Sequence, residues 1–296
     1  MSVKTVQAVI NGQTYTLTLN SNGKYEATIT APTKSSYNQN GHYYAVTITA
    51  TDTAGNSVTK TVNDATLGTS LQLRVKEKVA PVITLSSPSS SALLTNNKPK
   101  FQWTITDDDS GVDPSTIKIK IDSTTISDGI TKTAITNGYS CSYTPATALS
   151  DGNHTYSVYG SDFDGNEATV KSATFKVDTI APSLNVTAPT DGFITNSSKV
   201  TVKGTTNDVT SSPVTLKING TAVTVGSDGS FTHEVNLTEG ANTITIVATD
   251  GAGKSTTVTK TVYMNTSAPI ISAVTITPNP VDAGATFIIT VAVTDE

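Results

Sequence analysis

The chain has 296 residues, of which 15% are charged and 6% aromatic, with a net charge of −5 and an isoelectric point near 5.2. This balance excludes the concentrated cationic face that nucleic-acid binding needs, and a lone cysteine, Cys141, excludes an intramolecular disulfide. No apolar run approaches the roughly 20 residues of a membrane-crossing helix; residues 287–293 make only a strand-sized one. Thr, Ser, Val and Ile alternate along most of the chain, which predicts half-buried strands and almost no helix.

From the start, residues 1–6 lack the basic head and apolar stretch of a secretion leader and pass directly into alternation. Asn11-Gly12 and Asn22-Gly23 align with Asn219-Gly220 and Asp228-Gly229, pairs that mark tight hairpins because they tolerate the positive φ that such turns require. Tyr37, His42, Tyr43 and Tyr44 then cluster with Asn38, Asn40 and Gly41. Aromatic and amide groups together can bind sugars, so these four residues are candidate ligand-binding positions. The competing reading is structural: Tyr44 precedes the expected core position Val46 by two residues, where a tyrosine hydroxyl often anchors a loop. Residues 70–76 are placed to fold back as a substitute strand.

The next stretch opens at Ala80-Pro81, and Phe101, Trp103 and Ile105 alternate as core candidates. Asp107, Asp108, Asp109 and Asp113 form a dense acidic loop, the candidate place for a calcium ion to stiffen a junction, with an ordinary acidic turn as the competing reading. Asp162-Phe163-Asp164-Gly165-Asn166 resembles the opening of a calcium loop but returns at once into strand. It reads better as a hairpin in which Asp162 caps its own turn and Gly165 supplies the left-handed residue. After Ala181-Pro182, seven strands are predicted at residues 183–188, 199–205, 214–219, 222–225, 230–237, 242–249 and 255–263. Ala268-Pro269 opens two more, at 270–277 and 285–294.

One phrase occurs three times along the chain. Asp52, Asp162 and Asp250 each end a strand and begin a Gly-containing turn, spaced 110 and 88 residues apart, which suits one sandwich-sized unit per phrase. The residues that alternate inward just before them are Val46, Ile48 and Ala50, then Tyr156, Val158 and Gly160, then Ile244, Ile246 and Ala248. The expected architecture is all-β, with tandem immunoglobulin-like β-sandwich modules in an elongated rod. It divides into an incomplete module at 1–78 that lacks its first two strands, modules at 79–178 and 179–265, and at 266–296 two strands of a partial fourth unit or a donor pair. Head-to-tail self-association through 266–296, completion by residues 70–76, and the chain being a fragment all remain open.

The phrases Val177-Asp178-Thr179-Ile180-Ala181-Pro182, Ile218-Asn219-Gly220, Asp228-Gly229-Ser230-Phe231 and Val247-Ala248-Thr249-Asp250 resemble tandem bacterial Ig-like domains. Such domains occur in adhesins, cell-wall proteins and phage virion proteins, and the likeness runs well over 81–265 and partly over 1–78. The leaderless start and Thr277-Pro278-Asn279-Pro280-Val281-Asp282-Ala283-Gly284 resemble Ig-like accessory proteins encoded among tail genes of phages of Gram-positive bacteria. The resemblance implies a non-enzymatic structural or accessory component of a phage tail or virion, made in the bacterial cytoplasm, and acting as spacer, decoration or surface-adhesion array. Its partners would be other virion proteins or host cell-wall glycan, with no membrane or nucleic acid.

Two alternatives stand beside it: a carbohydrate-binding module for the host cell wall, and a fragment of a secreted adhesin at the bacterial surface. No catalytic residue and no cofactor are expected. His42, His154 and His233 lack ligand partners at metal-binding spacing, and no serine has an evident base.

Overall fold

The structure, a computed structural model, describes residues 2–295. Its backbone packing separates two compact units, Met1–Val177 and Asp178–Glu296.

The first unit begins with β1 (Val3–Ile10), β2 (Gln13–Leu19), β3 (Tyr25–Glu26), β4 (Tyr44–Asp52), β5 (Ser57–Lys60) and β6 (Gln72–Leu73). They form one sheet in the order β3-β2-β1-β4-β5, with β6 also pairing to β4. Val6, Ala8 and Ile10 lie opposite Ala50, Ile48 and Val46, so the expected inward positions do share a face. That face is incompletely covered: Val6, Ala8 and Ile10 are buried, but Val46, Ile48 and Ala50 are only half-buried. The reason is that no second sheet stacks on it among the described residues. Residues 70–76 do fold back, but as a 3-10 turn at Gly68–Leu71 followed by only two paired residues, Leu73 against Tyr44 and Gln72 against Ala45.

The same unit continues with β7 (Val82–Ser87), β8 (Ala92–Leu94), β9 (Phe101–Thr106), β10 (Val112–Ile121), β11 (Thr124–Ile126), β12 (Thr131–Ile135), β13 (Gly138–Tyr143), β14 (Gly152–Asp162) and β15 (Lys171–Val177). Two sheets, β11-β10-β14-β15-β8 and β12-β13-β9-β7, enclose a core that includes Phe101, Trp103, Ile105, Ile117, Ile119, Tyr156, Val158 and Phe175. Phe101 meets Tyr156 and Phe175 edge-on, with ring centres 5.0 and 5.6 Å apart. The Tyr156 hydroxyl donates to the Pro88 carbonyl at 2.8 Å, so its polar end is satisfied inside the core. Gly160 is the third inward position of β14. A Cβ there would lie 2.6 Å from Ile105 Cδ1, so a larger residue would push the end of that side chain aside. Cys141 is buried in the same core, and burial pushes its thiol up to about 11, far from the reactive thiolate range.

The second unit repeats this plan with β16 (Ser183–Ala188), β17 (Phe193–Thr195), β18 (Lys199–Asn207), β19 (Thr215–Ile218), β20 (Thr221–Val223), β21 (Ser230–Asn236), β22 (Gly240–Thr249) and β23 (Ser255–Met264). Its sheets, β16-β18-β21 and β17-β23-β22-β19-β20, bury Ile244, Ile246, Ala248, Val202 and Val262 completely. The predicted strand at 183–188 matches β16, but β17 was missed. It is three residues long, follows a Pro-containing turn, and pairs in parallel with β23 in the opposite sheet, so it has too few residues to display a period of two. β8 pairs with β15 in the same way and was missed for the same reason. A hairpin of β24 (Ile270–Thr277) and β25 (Ile288–Thr294) follows, with every position exposed; β25 begins three residues later than predicted.

The core assignment has a direct check in urea unfolding. Ile246→Ala should cost the second unit about 2–5 kcal/mol, whereas Ile194→Ala, at a position 68% exposed, should stay within about 0.5 kcal/mol. Equal losses would contradict the core. A second expectation concerns His154, whose ring is buried with Nδ1 2.8 Å from Asp122 Oδ2 and Nε2 2.7 Å from the Ser150 carbonyl. Burial opposes the charged ring, but the Asp122 carboxylate and the Ser150 carbonyl outweigh it and raise the pKa above the ordinary histidine value. A raised folded-state pKa means that this contribution is complete below the unfolded value of about 6.5 and is lost as pH climbs through the folded one. Thermal melts of the wild type should therefore decline as pH rises above about 6.5 more than those of His154→Gln.

Candidate functional site

At one end of each full sandwich, central strands of the two facing sheets finish on an acid. In the first unit β9 runs directly into Asp107 and β14 ends at Asp162. Glu77, from the segment between β6 and β7, completes a group whose carboxylates each offer an oxygen within 4.8 Å of the others. In the second unit β18 runs into Asp208 and β22 into Asp250, and Asp178, five residues ahead of β16, completes an equivalent group. All three acids of the second group are buried, as are Asp107 and Asp162 of the first, while Glu77 is half-buried. Burying several carboxylates together is costly without a compensating cation or donors.

Backbone donors supply part of that compensation. The repeated aspartates build the same turn three times: Oδ1 of Asp52, Asp162 and Asp250 accepts from the backbone N–H four residues on, at 2.9, 2.8 and 2.9 Å. The intervening glycines, Gly55, Gly165 and Gly253, all have φ between 85 and 92°, so the hairpin reading of these phrases describes their backbone. Asp162 Oδ2 also accepts from Asn166 Nδ2 at 2.7 Å. Asp107 Oδ1 accepts from the N–H groups of Asp109 and Gly111 at 3.0 and 2.8 Å. Glu77 Oε1 accepts from the Ser110 N–H at 2.7 Å. Burial first, and then the negative charges of Asp107 and Asp109, hold the Glu77 carboxyl above its ordinary pKa.

Of the acidic loop singled out from the sequence, only Asp107 joins this group. Asp108 is exposed and accepts from Asn137 Nδ2 at 2.7 Å. Asp109 accepts the Ser35 N–H on both oxygens at 3.1 Å. Asp113 caps Ser115, whose N–H and hydroxyl lie at 2.8 and 2.7 Å. The partners that sequence reasoning missed are Glu77 and Asp162, and in the second unit Asp178, Asp208 and Asp250. A signal was available: an acid stands four residues before the proline of Ala80-Pro81 and again before that of Ala181-Pro182, and another follows the second long strand of each module.

The aromatic loop has a different environment. The Tyr37 ring is stacked on Phe163 at 4.1 Å and on His42 at 4.3 Å. His42 Nδ1 contacts the Tyr37 carbonyl, and Asn38 Nδ2 donates to the Asp109 carbonyl. Tyr44 is buried and its hydroxyl donates to the Lys34 carbonyl at 3.2 Å; Tyr43 is half-buried. Around these rings, Lys76 Nζ donates to the Asp164 carbonyl at 2.9 Å and the Glu77 N–H to Asp164 Oδ2 at 3.0 Å. The loop therefore spends Tyr37 on packing the first sheet against the sandwich that follows it. Both groups are built from carboxylates alone, so what they offer chemically is hard oxygen ligation.

Two family profiles match parts of the chain: one described as "Bacterial Ig-like domain" over residues 80–179, the other as "Glucodextranase, domain B" over 182–266. Bacillopeptidase F of Bacillus subtilis (strain 168) is 34% identical over 124 residues, which is 42% of this chain and 8% of that protein. The PII-type proteinase of Lacticaseibacillus paracasei is 28% identical over 196 residues, 62% of this chain and 10% of its own length. The chain thus spans a tenth or less of these relatives. Among solved structures, the titin fragment I67–I69 aligns at 13% identity with a TM-score of 0.47, over 89% of this chain and 88% of that one. A tetra-tandem repeat from the extending region of a large adhesion protein aligns at 19% identity with a TM-score of 0.34, over 98% and 79%. The bacterial Ig-like profile and the repeated pairing of facing sheets together make this a chain of tandem immunoglobulin-like modules.

Proposed function

We propose that the chain is a non-enzymatic spacer, an array of Ig-like modules that holds or decorates parts of a larger assembly, and that its setting is the tail of a phage of Gram-positive bacteria. One observation carries the spacer reading: the same pair of facing sheets is built twice, each time around a core filled by its own side chains. A groove of about 580 Å³ on the first unit is lined by residues such as Lys118, Lys120, Tyr159 and Glu167, with no histidine or cysteine among its lining. The phage setting rests on the sequence resemblance alone. A second setting, an accessory region of a large bacterial extracellular protein, is favoured by the partial matches to proteinases in which the aligned stretch is a tenth or less of the whole.

Reach is the physical quantity that a spacer supplies. With central strands of 10 and 11 residues rising about 3.3 Å per residue, three modules end to end would extend on the order of 100 Å. Small-angle scattering of the purified chain should return a maximum dimension of that order; a particle half as long would sink the spacer reading. Immunogold labelling with an antibody to the chain separates the settings. Gold on virion tails supports the phage, and gold on uninfected cells supports the bacterial protein. Retention by purified Gram-positive cell walls that disappears in Tyr43→Ala, with the fold kept by circular dichroism, would replace the spacer by a glycan-binding module.

A further inference from the structure

We propose that Asp178, Asp208 and Asp250 form a binding site for a hard divalent cation of the calcium class. The first ground is convergence. The three residues come from the segment before β16, from the end of β18 in one sheet and from the end of β22 in the other, and their oxygens lie within 4.8 Å of one another. Oxygens that share one calcium ion at about 2.4 Å each lie no more than about 4.8 Å apart, so the group is compact enough to share one ion. An all-carboxylate set without sulfur or imidazole also selects hard ions over zinc.

The second ground is independent of the clustering. Asp250 is 6% exposed, and its Oδ1 is turned back to the Lys254 N–H, yet its Oδ2 is fully buried with no hydrogen-bond partner. A buried carboxylate oxygen without a donor is a large uncompensated cost in a folded protein, and it calls for a ligand. The other two acids are already oriented. Asp208 Oδ1 accepts from the N–H groups of Thr210 and Ser211 at 2.8 and 2.6 Å. Asp178 Oδ1 accepts from the Ile180 N–H at 3.2 Å, and its Oδ2 from the Ser211 hydroxyl, which also approaches Asp208 at 3.4 Å. These bonds hold the carboxylates in place before any ion arrives, which lowers the ordering cost of binding. The first unit carries Glu77, Asp107 and Asp162 at the corresponding places.

A bound ion would tie the start of the second unit to both of its sheets, so the binding free energy becomes folding free energy. Calcium titration of the EDTA-treated full chain by calorimetry, together with thermal melts, tests this. The wild type should take up calcium, and the near-isosteric Asp250→Asn should bind one ion fewer per chain. At free calcium a hundred times the dissociation constant, the wild-type folding equilibrium should rise about a hundredfold, and that gain should vanish in the variant. In EDTA, Asp250→Asn should be at least as stable as the wild type, because it buries one charge fewer. No uptake by the wild type at millimolar calcium, or equal uptake by both proteins, would overturn the proposal. Should Asp250→Asn fail to fold, Asp208→Asn reads the same ion: its loss supports the site and its retention overturns it.

Discussion

Everything in this protein depends on one kind of contact, the burial of alternating aliphatic and aromatic residues between two facing β-sheets. No disulfide reinforces it, since the one cysteine is itself buried in a core. Where both sheets are present, Tyr156, Val158, Ile244, Ile246 and Ala248 are sealed from water. Where one layer is absent among the described residues, the same positions of the repeat, Val46, Ile48 and Ala50, stay half-exposed in an otherwise well-formed sheet. The hydrogen-bonded ladder can therefore form without the second layer, but the burial that stabilises it cannot.

Stacking two sheets also brings together their ends. Strands β9 and β14, and likewise β18 and β22, belong to facing layers, so the residues that follow them meet at the rim of the sandwich. A carboxylate at each of those ends, joined by a third from the entering chain, becomes a convergent group that no single strand or hairpin could assemble. The rim of the first unit serves a further purpose. Asp109, Phe163 and Asp164 accept or stack against Ser35, Tyr37, Lys76 and Glu77, so loops that look disposable in the sequence are the attachment of one sheet module to the next.

Much of the fold was readable because short-range rules governed it. Asn11-Gly12 and Asn219-Gly220 have the paired positive φ of a tight hairpin, 48 and 76°, 47 and 80°. The long strands announced themselves by a period of two, and Phe101, Trp103 and Ile105 proved buried as their alternation predicted. The candidate sites were less legible. The acidic loop drew attention to four aspartates close in sequence, but the loop turns them apart: Asp108 meets the Asn137 side chain, Asp109 the Ser35 N–H, and Asp113 caps Ser115. In the Tyr37 loop, the same aromatic character suits a sugar face or an internal stack, and composition does not distinguish them.

Sequence by itself determined the class of fold, the repeat, the register of the inward faces and the chemistry of the turns, because each depends on residues within a few positions of one another. Tertiary structure alone decided which acids meet, what covers Tyr37 and how far each face is sealed. Those outcomes join residues tens of positions apart, Asp107 with Asp162 and Asp178 with Asp250, and they exist only once two sheets have closed on a common core.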